Sequence, residues 1–113
     1  RESDIVILTV PLTAETRGLM NRELLFQMKK GSILVNISRG AVVVTDDLVH
    51  ALRENLAGAV LDVFEEEPLP ENSPLWDMEN VILTPHNSFV GEHNRKRLQE
   101  VILNNLQLKL GKC

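Results

Sequence analysis

The sequence has 113 residues, 43% hydrophobic and 25% charged, and its 12 Lys plus Arg against 16 Asp plus Glu leave a net charge of −4. That balance describes one folded domain and speaks against a nucleic-acid binder, which needs a basic stripe. Charged residues interrupt every apolar run short of the roughly 18–20 residues of a membrane span, the single Cys113 precludes an internal disulfide, and three scattered histidines offer no metal-ligand spacing.

The chain opens at Arg1-Glu2-Ser3-Asp4 and enters Ile5–Val10 at once, a strand with almost nothing before it. A strand of this kind usually lies mid-sheet, so the expectation is that part of a larger protein stands upstream. No basic-then-apolar leader is visible, and a reducing cytoplasm is the expected location. Further apolar runs at Ser32–Ile37, Ala59–Phe64 and Val81–Thr84 are short, rich in Ile, Val and Leu, and hardly alternate, a pattern that predicts strands covered on both faces. Between the first two, Leu19, Leu24, Leu25 and Met28 predict a helix over Thr16–Lys29, stopped by Gly31. Between the second and third, Thr45–Asn55 predicts a helix with Thr45 as N-cap and Asp46 and Asp47 in the first turn.

The link to the fourth run differs. Glu65–Pro74 holds three of the five prolines and four acids, so a loop is expected, pinned to the body by Leu75, Trp76 and Met78. Beyond Val81–Thr84, Leu98, Val101, Ile102, Leu106 and Leu110 form one stripe of an amphipathic helix over Gly91–Leu110, with Arg95, Lys96 and Arg97 on its wet side. Alternating strands and helices with short links predict an α/β fold: a parallel, doubly wound, Rossmann-like sheet that is incomplete, with four strands and flanking helices.

Ligands of open parallel sheets bind beyond the carboxyl ends of the strands. Those ends carry Pro11, Leu12 and Thr13; Ser38, Arg39 and Gly40; Asp62 and the acidic run after it; and Pro85, His86, Asn87 and Ser88. An arginine, carboxylates and a histidine thus converge on one edge. Each also has a bland reading: Arg39 as a solvated turn residue, Glu65–Glu67 as an acidic loop, His86 as a capping or packing histidine. Asp62 is harder to dismiss, because a carboxylate inside an apolar strand needs partners.

The segments Ile33-Leu34-Val35-Asn36-Ile37-Ser38-Arg39-Gly40, Ala57-Gly58-Ala59-Val60-Leu61-Asp62-Val63-Phe64 with Glu67-Pro68-Leu69-Pro70, and Asn80-Val81-Ile82-Leu83-Thr84-Pro85-His86 resemble the D-isomer-specific 2-hydroxyacid dehydrogenases. Val10-Pro11-Leu12 with Thr13, Thr16 and Gly18-Leu19 is similar to the same family's first strand-to-helix segment. The resemblance runs from about Ser3 to Asn105. It implies hydride transfer between a nicotinamide cofactor and C2 of a small 2-oxo or 2-hydroxy acid. Arg39 stands at the family's substrate-binding arginine, His86 at its general acid/base and Glu67 at the carboxylate that partners the histidine. Pro11, Ser38, Arg39, Asp62 and His86 stand along the cofactor groove, with Asp62 beside the nicotinamide carboxamide.

NAD is the implied cofactor, with NADP left open, because no Gly-rich phosphate turn or selector residue is found in this sequence. Residues 1–113 then read as a partial dinucleotide-binding domain whose phosphate-binding half and substrate domain lie elsewhere, and the isolated segment is expected to be inactive. The resemblance also implies a homodimer. A non-catalytic nucleotide-binding or scaffold relative is the alternative, disfavoured because a binding module has no use for an acid/base pair. A signalling receiver fits less well still, since no acidic cluster follows the first run. The segment departs from the family pattern by one residue fewer between Arg39 and Asp62 and by Asn87-Ser88-Phe89 after the histidine. Replacing Glu67→Gln is expected to move the acid limb of the pH–rate profile; an unmoved limb refutes the partner role.

Overall fold

The computed structural model describes residues 2–110; Cys113 and the side chain of Leu110 lie outside the described residues. Four strands, β1 (Ile5–Leu8), β2 (Ile33–Asn36), β3 (Gly58–Leu61) and β4 (Val81–Leu83), form one sheet in the order β1-β2-β3-β4, every neighbouring pair parallel. Helix α1 (Arg22–Gln27) links β1 to β2, and α2 (Thr45–Glu54) links β2 to β3. The two helices pack on each other and on one face of the sheet, where Leu25, Leu34, Leu48, Ala51, Leu61 and Leu75 are buried. Because all four strands run parallel, every strand carboxyl end lies on one edge. That edge gathers the polar segments identified above.

Within this chain, the helices cover one face of the sheet. Side chains alternate along each strand, and those pointing away from the helices are open: Ile7 is 56% and Ile82 61% exposed, while Leu8 and Leu34 on the helix side are buried. The register aligns Ile7, Val35, Val60 and Ile82 across all four strands on this open face. Consecutive crossovers place their helices on one side only, so a sheet grown in one direction covers one face.

Helix α1 is shorter than the Leu spacing predicts. Thr13 and Thr16 exchange hydrogen bonds, the Thr16 hydroxyl donates to the Pro11 carbonyl at 2.7 Å, and Gly18 adopts φ 63. Met20 then pairs in parallel with Val43, so residues 13–20 are spent on a turn and a bridge. The helix begins only where the Asn21 side chain caps it, accepting from Leu24 N–H at 3.2 Å. Gly31 (φ 78) closes this stretch as expected, its N–H donating to the Asn55 carbonyl.

Thr45 is not the N-cap of α2 but its first residue; Val44 holds the cap position without a side-chain bond. The free Thr45 N–H donates to Glu65 Oε2 at 2.7 Å, so a carboxylate from the acidic loop caps the helix. The loop is therefore tied down, and Leu75 anchors it in the core while the Trp76 indole N–H donates to the Pro70 carbonyl at 2.9 Å. Helix α3 (Asn94–Leu110) extends from the body, and Leu98, Val101, Ile102 and Leu106 of its stripe are exposed. Among the described residues no helix is long and apolar enough to cross a membrane.

Candidate active site

Asn36 closes β2 with its side chain on the buried face, 1% exposed. A buried amide must be paired, and here it builds the next turn. Asn36 Oδ1 accepts from Ser38 N–H at 3.1 Å and from the Ser38 hydroxyl at 2.8 Å, and Asn36 Nδ2 donates to the Arg39 carbonyl at 3.1 Å. Arg39 Nη1 donates to the Ser38 carbonyl at 2.7 Å, and no ion pair reaches the guanidinium among the described residues. The arginine is exposed at the strand end with its charge uncompensated. Gly40 follows because the chain passes against the Phe64–Glu65 backbone: a Cβ there would stand 1.8 Å from the Phe64 carbonyl oxygen.

The segment after β3 supplies the carboxylates. Asp62 is 1% exposed and accepts from the Thr84 hydroxyl at 2.5 Å, Asn87 N–H at 2.8 Å and Ser88 N–H at 2.9 Å. Burial alone would raise its carboxyl, but the hydrogen bonds from Thr84, Ser88 and Asn87 outweigh it and hold the group well below the usual carboxylate range. Glu67 accepts Phe64 N–H on Oε1 at 3.0 Å and meets His86 Nδ1 with Oε2 at 2.7 Å. The hydrogen bond to His86 is the main cause that lowers the Glu67 carboxyl.

His86 sits beyond β4 in a left-handed backbone conformation, φ 52, its N–H donating to the Thr84 carbonyl at 3.0 Å. Such a conformation in a non-glycine residue costs on the order of 1–3 kcal/mol and persists only when its surroundings enforce it. Two cavities adjoin the ring. One, of about 270 Å³, is lined by Leu12, Arg39, Gly40, Ala41, Glu67 and His86 among others. The other, of about 550 Å³, is more apolar and is lined by Leu69, Trp76, Leu83 and Pro85 beside the same Glu67–His86 pair.

The structure thus brings Arg39, Glu67 and His86 to one cleft. Ser38 directs its hydroxyl inward to Asn36, the Pro11 carbonyl is engaged by Thr16, and Asp62 lies beneath the His86 loop. The sequence does not single out Asn36 or Thr84, and it offers Glu65 only as part of the acidic run Glu65–Glu67. The available signal was polarity inside apolar runs, an amide ending Ile33–Asn36 and a hydroxyl ending Val81–Thr84. Among the described residues, no group of three or more His, Cys, Asp or Glu could hold a metal ion.

The two lowered carboxyls give a pH dependence with a definite sign. Each ionises more readily folded than unfolded, so each contributes stability that is complete above its ordinary value, 3.8 for Asp62 and 4.5 for Glu67. That contribution is lost as pH falls through the lowered folded value. Thermal unfolding from pH 6 downward should show Glu67→Gln losing less stability than the parent; parallel curves would contradict the assignment.

The profile of the D-isomer specific 2-hydroxyacid dehydrogenase, NAD binding domain, matches residues 1–88. A glyoxylate reductase of Thermofilum pendens is 51% identical over 106 residues, 93% of this chain and 31% of the relative. A hydroxypyruvate reductase of Blautia hydrogenotrophica is 43% identical over 107 residues, 94% of this chain and 33% of the relative. The solved structure of a probable 2-hydroxyacid dehydrogenase from Rhizobium etli, in complex with NADP, HEPES and L(+)-tartaric acid, superposes with TM-score 0.81 at 38% identity, covering 97% of this chain and 36% of that one. The chain spans about a third of the length of the curated relatives it matches. On its ordered motifs, its parallel sheet and this match, the chain belongs to the D-isomer specific 2-hydroxyacid dehydrogenase family, as part of the NAD-binding domain.

Proposed function

We propose that this chain forms the nicotinamide-facing part of an oxidoreductase that interconverts small 2-oxo and 2-hydroxy acids with NAD or NADP. The observation that carries the reading is the Glu67–His86 pair at 2.7 Å, sharing a cleft with an uncompensated Arg39. The residues fit the nicotinamide end of a dinucleotide, with a cleft at the carboxyl edge of a parallel sheet floored by Gly40 and walled by Leu12, Arg39 and His86. A bound nicotinamide supplies or accepts the hydride.

This chain's own residues do the rest. Arg39 holds the substrate carboxylate through two parallel N–H bonds and polarises the adjacent carbonyl. His86 gives a proton to the C2 oxygen in reduction and takes it back in oxidation. Glu67, bound to Nδ1, fixes the proton on that nitrogen, leaves Nε2 for the substrate and stabilises the imidazolium. Segments beyond this chain complete the phosphate site and close the cleft against water.

The relatives' names make glyoxylate and hydroxypyruvate the first substrates to test. Oxidation of NADH and NADPH by the full-length protein, followed at 340 nm with both acids and a panel of other 2-oxo acids, should show turnover. No oxidation with any member of the panel would overturn the reading. Assembly as a homodimer in the cytoplasm extends it, and light scattering of the purified protein tests the first part.

A further inference from the structure

We infer that Asp62 is a positioning residue for His86, its carboxylate gathering the Thr84 hydroxyl and the Asn87 and Ser88 amides and thereby fixing the loop that carries the imidazole. The inference rests on the acid/base reading of His86 and goes beyond a contact between Asp62 and the cofactor.

The donors define the role. Oδ1 accepts from Thr84 Oγ1 at 2.5 Å and Asn87 N–H at 2.8 Å, and Oδ2 accepts from Ser88 N–H at 2.9 Å. All three donors flank His86 in sequence, one two residues before it and two immediately after. Both carboxylate oxygens are engaged inside the loop, and the residue is buried. The left-handed turn at His86 (φ 52) rotates the next two amides toward one point, the geometry of a backbone nest for an anion. Here the anion is a side chain of β3's own extension. Without it the two amides would face the interior unpaired, and the segment after the left-handed histidine would lose the bonds that tie it to the end of β3.

The ring is held separately. Glu67, five residues after Asp62, takes Nδ1 at 2.7 Å and is itself fixed by Phe64 N–H at 3.0 Å. One short stretch after β3 therefore sets both coordinates of His86, the backbone through Asp62 and the ring through Glu67. Arg39 hangs from β2 through Asn36 and Ser38 and shares none of these bonds. Disturbing Asp62 should misplace the proton donor and leave the carboxylate clamp where it is.

Asp62→Asn is nearly isosteric, but its NH₂ group would face an amide N–H, so at least one bond becomes a donor–donor clash. In the full-length protein we expect kcat to fall about 100-fold, the loss typical of a misplaced catalytic group. KM for the 2-oxo acid should change by less than about threefold, because the Arg39 clamp that sets it is untouched. In the cofactor-free protein, the deshielded Nδ1 proton shared by His86 and Glu67 should weaken or vanish from the proton NMR spectrum. An unchanged kcat, or an unchanged proton signal combined with a raised KM for the nicotinamide cofactor alone, would overturn the inference; the latter would assign Asp62 to the cofactor instead. Should D62N fail to fold, Thr84→Val carries the test: it removes one donor and should weaken the same signal, which Thr84→Ser should restore. An identical signal in T84V and the parent would refute the role. A protein with no dehydrogenase turnover would sink the proposed function, while the NMR comparison would still decide the positioning of His86.

Discussion

Replacing His86→Gln should lower kcat by about 100- to 10,000-fold at neutral pH, the range supplied by a positioned general acid/base. KM for the 2-oxo acid should stay close to the parent value, because the clamp proposed for the carboxylate is Arg39. Glutamine can occupy the volume and accept or donate hydrogen bonds, but it cannot deliver a proton to a developing alkoxide. Steady-state kinetics at saturating cofactor check this directly. Loss confined to KM would mean that His86 only binds.

The second large effect belongs to Gly40. A methyl group there would stand 1.8 Å from the Phe64 carbonyl oxygen, 1.9 Å from its carbon and 2.5 Å from Glu65 N. All three atoms are backbone, so no side-chain rotation relieves the clash, and the two segments must separate. Overpacking of this kind typically costs about 1–3 kcal/mol. The segments concerned are the Arg39 turn and the start of the stretch bearing Glu65 and Glu67, so Gly40→Ala should lower stability and activity together. Denaturant unfolding and kinetics on the same preparation test it; a variant with parent stability would show that the segments are not held in contact. Glu65 reinforces the same joint by capping α2 at Thr45 N–H.

Much of this was legible in the residues. Ile33–Asn36 and Thr45–Glu54 appear where apolar runs and acidic first turns put them, because local pattern and tertiary environment agree there. The leucine spacing predicts helix at residues 16–20 because it is blind to Gly18's positive φ and to the bridge that Met20 makes with Val43. The open sheet face has a topological reason: continuous apolar runs record what a strand is built to bury, and this chain's own helices lie on one side. Arg39, Glu67 and His86 stood out through motif and through position at strand ends. Asn36, Thr84 and Glu65 did not, since their meaning lies in partners such as Asp62, 22 residues from Thr84, and Thr45, 20 residues from Glu65. Polar residues that end apolar strands are the cue that would have found the first two.

The measurement that bears most directly on the account is a crystal structure of the full-length protein with reduced cofactor and oxamate, a stable mimic of a 2-oxo acid. The oxamate carboxylate should pair with the Arg39 guanidinium and its carbonyl oxygen should lie within hydrogen-bonding distance of His86 Nε2, with Nδ1 still on Glu67. Oxamate bound away from Arg39, or an imidazole turned from the ligand while Glu67 pairs elsewhere, would contradict it.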